Sequence, residues 1–226
     1  MTKYLYLHGF ASSPQSKKAR EISDRFTKLQ IPLSIPDLND GNFTQLTITR
    51  QLNQVKGEFP EPPQPVILIG SSLGGLTAAH LAEQNLQVQK LILLAPAFGF
   101  VSHWLKNLGL EAVKTWQREE YLSVYHYGEG RSLPLSYNFL VDAHQYSETL
   151  LQRPIPTLIL HGNHDEVIPI TASQEFAQIR PWVELIALDS DHALGNVIEE
   201  IWQAIYSFCQ FSSREQGTGE SQKLKE

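Results

Sequence analysis

Short, uninterrupted apolar runs recur along the chain, and each ends in turn-forming residues. Tyr4–Leu7 is the first and Val66–Ile69 the third; Leu91–Leu94, Thr157–Leu160 and Val183–Leu188 follow. A weaker second run, Ile31–Ile35, contains Pro32, which suits a strand towards a sheet edge because proline cannot donate to a ladder. Continuous rather than alternating apolar character predicts strands covered on both faces, as in a parallel sheet.

The stretches between these runs repeat at helical spacing. Ser16–Leu29 places Ala19, Ile22, Phe26 and Leu29 on one face, and Phe43–Val55 does the same with Leu46, Thr49, Leu52 and Val55. Leu73–Glu83 follows the third strand directly, Thr171–Ile179 separates the fifth and sixth, and Asn196–Phe211 closes the domain with Val197, Ile201, Ile205 and Phe208. Steady alternation of strand and helix predicts an α/β fold, with about six mainly parallel strands and helices on both faces.

One connection breaks this rhythm. Ala97 to Pro154, about 58 residues, separates the fourth and fifth strands, far more than a crossover needs. It carries ten of the 22 aromatic residues. Such an insertion is read as a lid that supplies an apolar pocket, a reading that can hold together with that of a subdomain with its own small core. Phe98, Trp104 and Trp116 are the candidate substrate-binding residues. The expected organisation is one domain over 1–211, with the insertion at 97–154 inside it. A tail over 212–226 has Leu224 as its only large apolar residue and is expected to be disordered.

Composition narrows the classes of function. Hydrophobic residues are 42% and charged residues 19% of the chain, which excludes wholesale disorder. The net charge of −6 offers no basic field for phosphates, so no nucleic-acid partner is expected. No apolar run is long enough to span a bilayer, and the first apolar stretch is too short for a secretion signal; the expected location is cytoplasmic. The single cysteine, Cys209, excludes an intramolecular disulfide and a cysteine-based zinc site.

The chemistry gathers at strand ends. Gly70-Ser71-Ser72-Leu73-Gly74 matches Gly-x-Ser-x-Gly between an apolar strand and a helix, the setting of a nucleophile elbow. There a sharp turn exposes the serine, and the glycines let strand and helix approach. A serine needs a base, and in this fold the base follows the last strand. His192 stands there. The acid is expected where the fifth strand ends, in His161-Gly162-Asn163-His164-Asp165-Glu166. Asp165 is the candidate and Glu166 the near alternative. The oxyanion hole needs two converging backbone N–H groups. One is expected from Leu73, and the other from Phe10 in the loop after the first strand, with Ala11 second. His8, His161, His164 and His192 share one rim of the sheet, but no pair has a zincin spacing. No metal and no cofactor are expected, and His8, His161 and His164 are read as loop hydrogen-bonding residues.

With these residues aligned, the chain resembles the α/β-hydrolase superfamily over about residues 3–211, and within it the small bacterial YqiA-type (UPF0227-like) esterases. The resemblance is carried by Tyr4-Leu5-Tyr6-Leu7-His8-Gly9-Phe10-Ala11-Ser12-Ser13-Pro14-Gln15-Ser16-Lys17-Lys18-Ala19, by Gly70 to Gly75, and by Asp165-Glu166-Val167. It implies an ester or thioester hydrolase with Ser72, Asp165 and His192 as its triad. It also implies a sheet that begins at the superfamily's third strand. The insertion is longer than in compact members, and Asp-His-Ala-Leu replaces the Gly-x-His-x-Phe-like form around His192. The expected activity is cleavage of small to medium, apolar acyl esters or thioesters through an acyl-enzyme on Ser72. Peptide, lactone or carbon–carbon bond hydrolysis is the alternative on the same triad. A non-catalytic ligand binder is the alternative from another class.

Overall fold

The computed structural model describes residues 2–211, so the expectation for the tail at 212–226 lies outside the described residues. Strand β1 (Lys3–Leu7) leads to α1 (Lys17–Lys28), β2 (Leu33–Ser34) and α2 (Ile48–Gly57). Then come β3 (Val66–Ser71), α3 (Leu73–Gln84) and β4 (Val88–Leu94). The insertion contributes α4 (Phe100–Leu108), α5 (Leu110–Glu119), a hairpin of β5 (Tyr121–His126) and β6 (Arg131–Ser136), and α6 (Asn138–Ala143). The chain returns through β7 (Thr157–Gly162), α7 (Ile170–Gln178), β8 (Val183–Leu188) and α8 (Ile198–Cys209).

Six strands form one sheet in the order β2-β1-β3-β4-β7-β8, and every pairing is parallel. Alternate side chains enter opposite cores, as the two-residue period of a strand requires. Leu5, Leu7, Leu68, Leu93 and Ile159 face α2, α3 and α7, whereas Tyr4, Tyr6, Ile69, Leu94 and Leu160 face α1 and α8. Strand β2 is only two residues long, and the proline-bearing run thus makes a short edge.

Helix α1 shows how the sequence sets an element. Ser16 Oγ accepts the Ala19 N–H at its start, and Ala19, Ile22 and Phe26 are its buried face. Gln30, at φ 58°, turns the chain out of the helix. Helix α2 starts later than its pattern predicts. Residues Phe43–Gln45 form a separate 3₁₀ turn, and Thr47 caps the helix by accepting the Arg50 N–H.

The buried apolar residues of the insertion join a core shared with the sheet. Phe98, Trp116, Leu135, Phe139 and Leu140 are buried in the same cluster as Leu5, Leu7 and Leu68. It is also tied to the sheet layer at several points. Tyr127 N–H donates to the Ala11 carbonyl at 2.7 Å, Thr49 N–H donates to Asp142 at 3.0 Å, and Glu83 accepts the Arg153 N–H at 2.8 Å. The insertion thus packs into the common core on one side of the sheet.

Candidate active site

The turn from β3 into α3 places Ser72 at φ 52°, ψ −119°, a strained conformation for a residue with a Cβ. Its own hydrogen bonds hold it there. Ser72 N–H donates to Leu94 O at 2.9 Å, and Ser72 O accepts from Gly75 and Ala97. The flanking glycines are sterically required. A Cβ on Gly70 would run into the backbone of Gly74 and Gly75, and one on Gly74 into the carbonyls of Leu7 and His8.

Three side chains from three strand ends meet here. Ser72 Oγ lies 3.0 Å from His192 Nε2, and His192 Nδ1 lies 2.6 Å from Asp165 Oδ2. The other oxygen, Oδ1, accepts the N–H groups of Val167 and Ile168 at 2.9 and 2.8 Å. Burial alone would raise the Asp165 pKa. Hydrogen bonds from His161 and His192, together with the His192 charge and the Ile168 N–H, outweigh it and hold the carboxyl well below the usual carboxylate range. Glu166, the alternative acid, is exposed on the cavity rim.

The loop after β1 lies against the nucleophile. A Cβ on Gly9 would stand 3.3 Å from Ser72 Cβ. This brings the next residue, Phe10, to the site, opposite the start of α3. Among the described residues, neither the Phe10 nor the Leu73 backbone N–H has a protein acceptor. His8 is buried beneath this loop. Its Nδ1 donates to Gly9 O and its Nε2 accepts the Leu38 N–H, both at 3.0 Å, so it fixes the loop from below.

A cavity of about 1020 Å³ opens over Ser72 and His192. Its lining combines apolar residues, Phe100, Trp104, Val124 and Tyr125 among them, with polar ones that include Tyr6, Ser16, Lys18, Ser71 and Asp191. Of the three insertion residues expected to bind substrate, Trp104 lines the cavity and the other two are corrections. Phe98 is buried at the start of the insertion, stacked on Phe176 at 4.2 Å. Trp116 stands behind Trp104 at 5.2 Å and donates its indole N–H to Leu135 O. Both are consumed by packing. Val124 and Tyr125, neighbours on β5, also line the cavity, and nothing in the sequence pattern singles out both, since adjacent strand residues face opposite sides.

Two further residues acquire contacts that their sequence positions did not announce. His161 is fully buried against Asp165, and Lys18 reaches Ser71, the neighbour of the nucleophile, at 3.1 Å. Cys209 is no rival nucleophile, because burial pushes its thiol up to about 11. Among the described residues, no three His, Cys, Asp or Glu side chains gather as a metal site, and no helix is long and apolar enough to cross a membrane.

Known proteins share this architecture. The solved structure of alpha/beta hydrolase domain-containing protein 10 from mouse superposes with a TM-score of 0.77 at 23% identity, covering 92% of this chain and 89% of that one. Est1E from Butyrivibrio proteoclasticus, solved with ferulic acid bound, gives 0.77 at 20% identity over 93% and 88%. In sequence, the mitochondrial palmitoyl-protein thioesterase ABHD10 of Rattus norvegicus is 28% identical over 208 residues, 84% of this chain and 68% of the rat protein. The mouse thioesterase is 27% identical over 66% of this chain and 52% of its own length. A family model described as "Uncharacterised protein family (UPF0227)" matches residues 3–210, so this chain, with its α/β-hydrolase fold, belongs to the UPF0227 family.

Proposed function

We propose that this protein is a serine hydrolase of carboxylic esters or thioesters with small to medium, apolar acyl groups. The observation that carries the reading is the hydrogen-bonded line Ser72–His192–Asp165, whose Ser72 and His192 line a largely apolar cavity. His192 Nε2 takes the Ser72 proton as Oγ attacks the acyl carbon. The Phe10 and Leu73 N–H groups receive the oxyanion. The protonated His192 gives its proton to the leaving alcohol or thiol, and Asp165 holds the ring throughout. Water then enters, loses a proton to His192 and releases the acid, restoring Ser72.

The mixed polar and apolar lining of the cavity supports an ester rather than a uniformly greasy ligand. The thioesterase and esterase names of the relatives support the same bond class. A non-catalytic binder would have no use for a strained Ser72 joined to a base and a buried acid. The test is labelling with a fluorophosphonate, together with hydrolysis of a 4-nitrophenyl ester series. Wild type is expected to label and turn over; Ser72→Ala is expected to do neither. An unlabelled wild type would sink the reading, as would an active Ser72→Ala.

A further inference from the structure

Lys18 sits in the second position of α1, directly after Lys17. Helix N-termini favour anions, and this first turn contains no acidic residue, so two consecutive cations here run against the local electrostatics. A local conflict of this kind is expected where a residue serves a site. Lys17 is exposed and lies 3.8 Å from Glu21. Both lysines line the catalytic cavity, but Lys18 is the half-buried one, and its ammonium reaches Ser71 beside the nucleophile.

The surroundings of the Lys18 ammonium are incomplete. Among the described residues its single hydrogen-bond acceptor is Ser71 Oγ at 3.1 Å, and no carboxylate lies within 4.0 Å. An ammonium has three donors, so two are left for something else in the cavity. The two carboxylates whose charge acts on it make their hydrogen bonds to other groups. Asp165 holds His161 and His192, and Asp191 accepts the N–H groups of Ala193 and Leu194. Burial lowers the Lys18 pKa to about 8, while Asp165 and Asp191 pull it back up. A partly desolvated cation that lacks an ion-pair partner is costly to keep. A ligand anion removes that cost.

We propose that Lys18 is a substrate-binding residue that selects esters bearing an anionic group, a carboxylate or a phosphate, on the side of the scissile bond away from the aromatic wall. The apolar part of such a substrate lies against Phe100, Trp104, Val124 and Tyr125. Its acyl carbon stands over Ser72, and its anion meets Lys18. This deepens the ester-hydrolase reading and rests on it. It does not follow from that reading, because a plain apolar ester would leave Lys18 unpaired.

The test compares matched esters. 4-Nitrophenyl hemisuccinate against 4-nitrophenyl pentanoate places the anion in the acyl group. The butyrate ester of 3-hydroxybenzoic acid against phenyl butyrate places it in the alcohol, and phenyl phosphate bearing a butyrate ester tests phosphate for carboxylate. The reading is the ratio of kcat/KM for the anionic ester to that for its neutral match. In one of these arms wild type is expected to prefer the anion. Lys18→Gln should lower that ratio by about 10- to 100-fold, the worth of a charge-assisted hydrogen bond. Lys18→Arg should restore part of it, which separates a charge effect from misfolding. Neutral esters preferred in every arm would overturn the proposal, as would a ratio that Lys18→Gln leaves unmoved. If wild type cleaves neither kind of ester, it is the hydrolase reading that fails.

Discussion

His161 and His192 donate to the same oxygen of Asp165, at 3.1 and 2.6 Å. His161 Nε2 also lies 2.9 Å from the Ile168 carbonyl. Both of its neighbours are acceptors, so this nitrogen carries the proton. Nδ1 then accepts from the Ser173 hydroxyl at 2.8 Å. A line of hydrogen bonds thus runs from Ser173 on α7 through His161, Asp165 and His192 to Ser72. His161→Phe keeps a ring in the space and removes the donor. We expect kcat for an ester to fall by about 10- to 100-fold with little change in KM, because the change loosens an acid that orients the base. An unaltered kcat in a folded variant would mean that the Val167 and Ile168 N–H groups hold Asp165 unaided.

The same contacts make Asp165 a source of acid sensitivity. Its folded-state pKa lies below the unfolded value of about 3.9. A depressed carboxylate stabilises the fold fully above the unfolded value, and that contribution is lost as pH falls towards the folded one. Asp165→Asn cannot titrate. The difference in unfolding free energy between wild type and Asp165→Asn should therefore hold steady from about pH 7 to 5 and shift against wild type below about pH 4. Urea midpoints at several pH values read this directly, and a difference independent of pH would contradict it.

Phe98 and Trp104 are separated by only a few residues, yet the structure gives them different work. Phe98→Leu should cost about 1–2 kcal/mol, because it breaks the buried stack on Phe176 and leaves a void. The acyl-chain preference should not move. Trp104→Ala removes a wall of the cavity that also touches the Phe10 ring at 5.5 Å. It should shift the preferred acyl length upward in a 4-nitrophenyl ester series. Equal effects of the two variants on chain-length preference would show that Phe98 reaches the substrate after all.

The contrast marks where the sequence was readable. Order along the chain was enough to single out Ser72, Asp165 and His192 as candidates, since each sits where an apolar run ends and a parallel sheet gathers such ends on one edge. The roles of Phe98 and Trp116 were not readable in this way. Aromatic residues look alike in a sequence whether they wall a cavity or fill a core, and only the path of α4, α5 and the hairpin decides between them. His161 was hidden for a similar reason. Its partner Asp165 is four residues away, but its other partner, Ser173, lies on the next helix, and a strand-end histidine alone gives no sign of either bond.

Arg153 tests whether the insertion and the sheet layer are one cooperative unit. Its guanidinium donates to the carbonyls of Ala82, Asn85, Leu86 and Val88. It therefore caps the C-terminal end of α3 with a cation, where the helix leaves carbonyls unsatisfied and carries partial negative charge. The same residue closes the return from the insertion into β7. Arg153→Met keeps much of the stem and removes every donor. The expected loss is about 2–3 kcal/mol, the scale for a charged multi-point contact whose acceptors are left part-buried. For a domain of this size that is a drop in Tm of roughly 5–10 °C. Because α3 carries Ser72 at its other end, the unfolding transition should stay single and move as a whole, with loss of fluorophosphonate labelling coinciding with loss of helical signal. Two separate transitions, with labelling retained past the first, would show instead that the insertion unfolds independently of the layer beneath it.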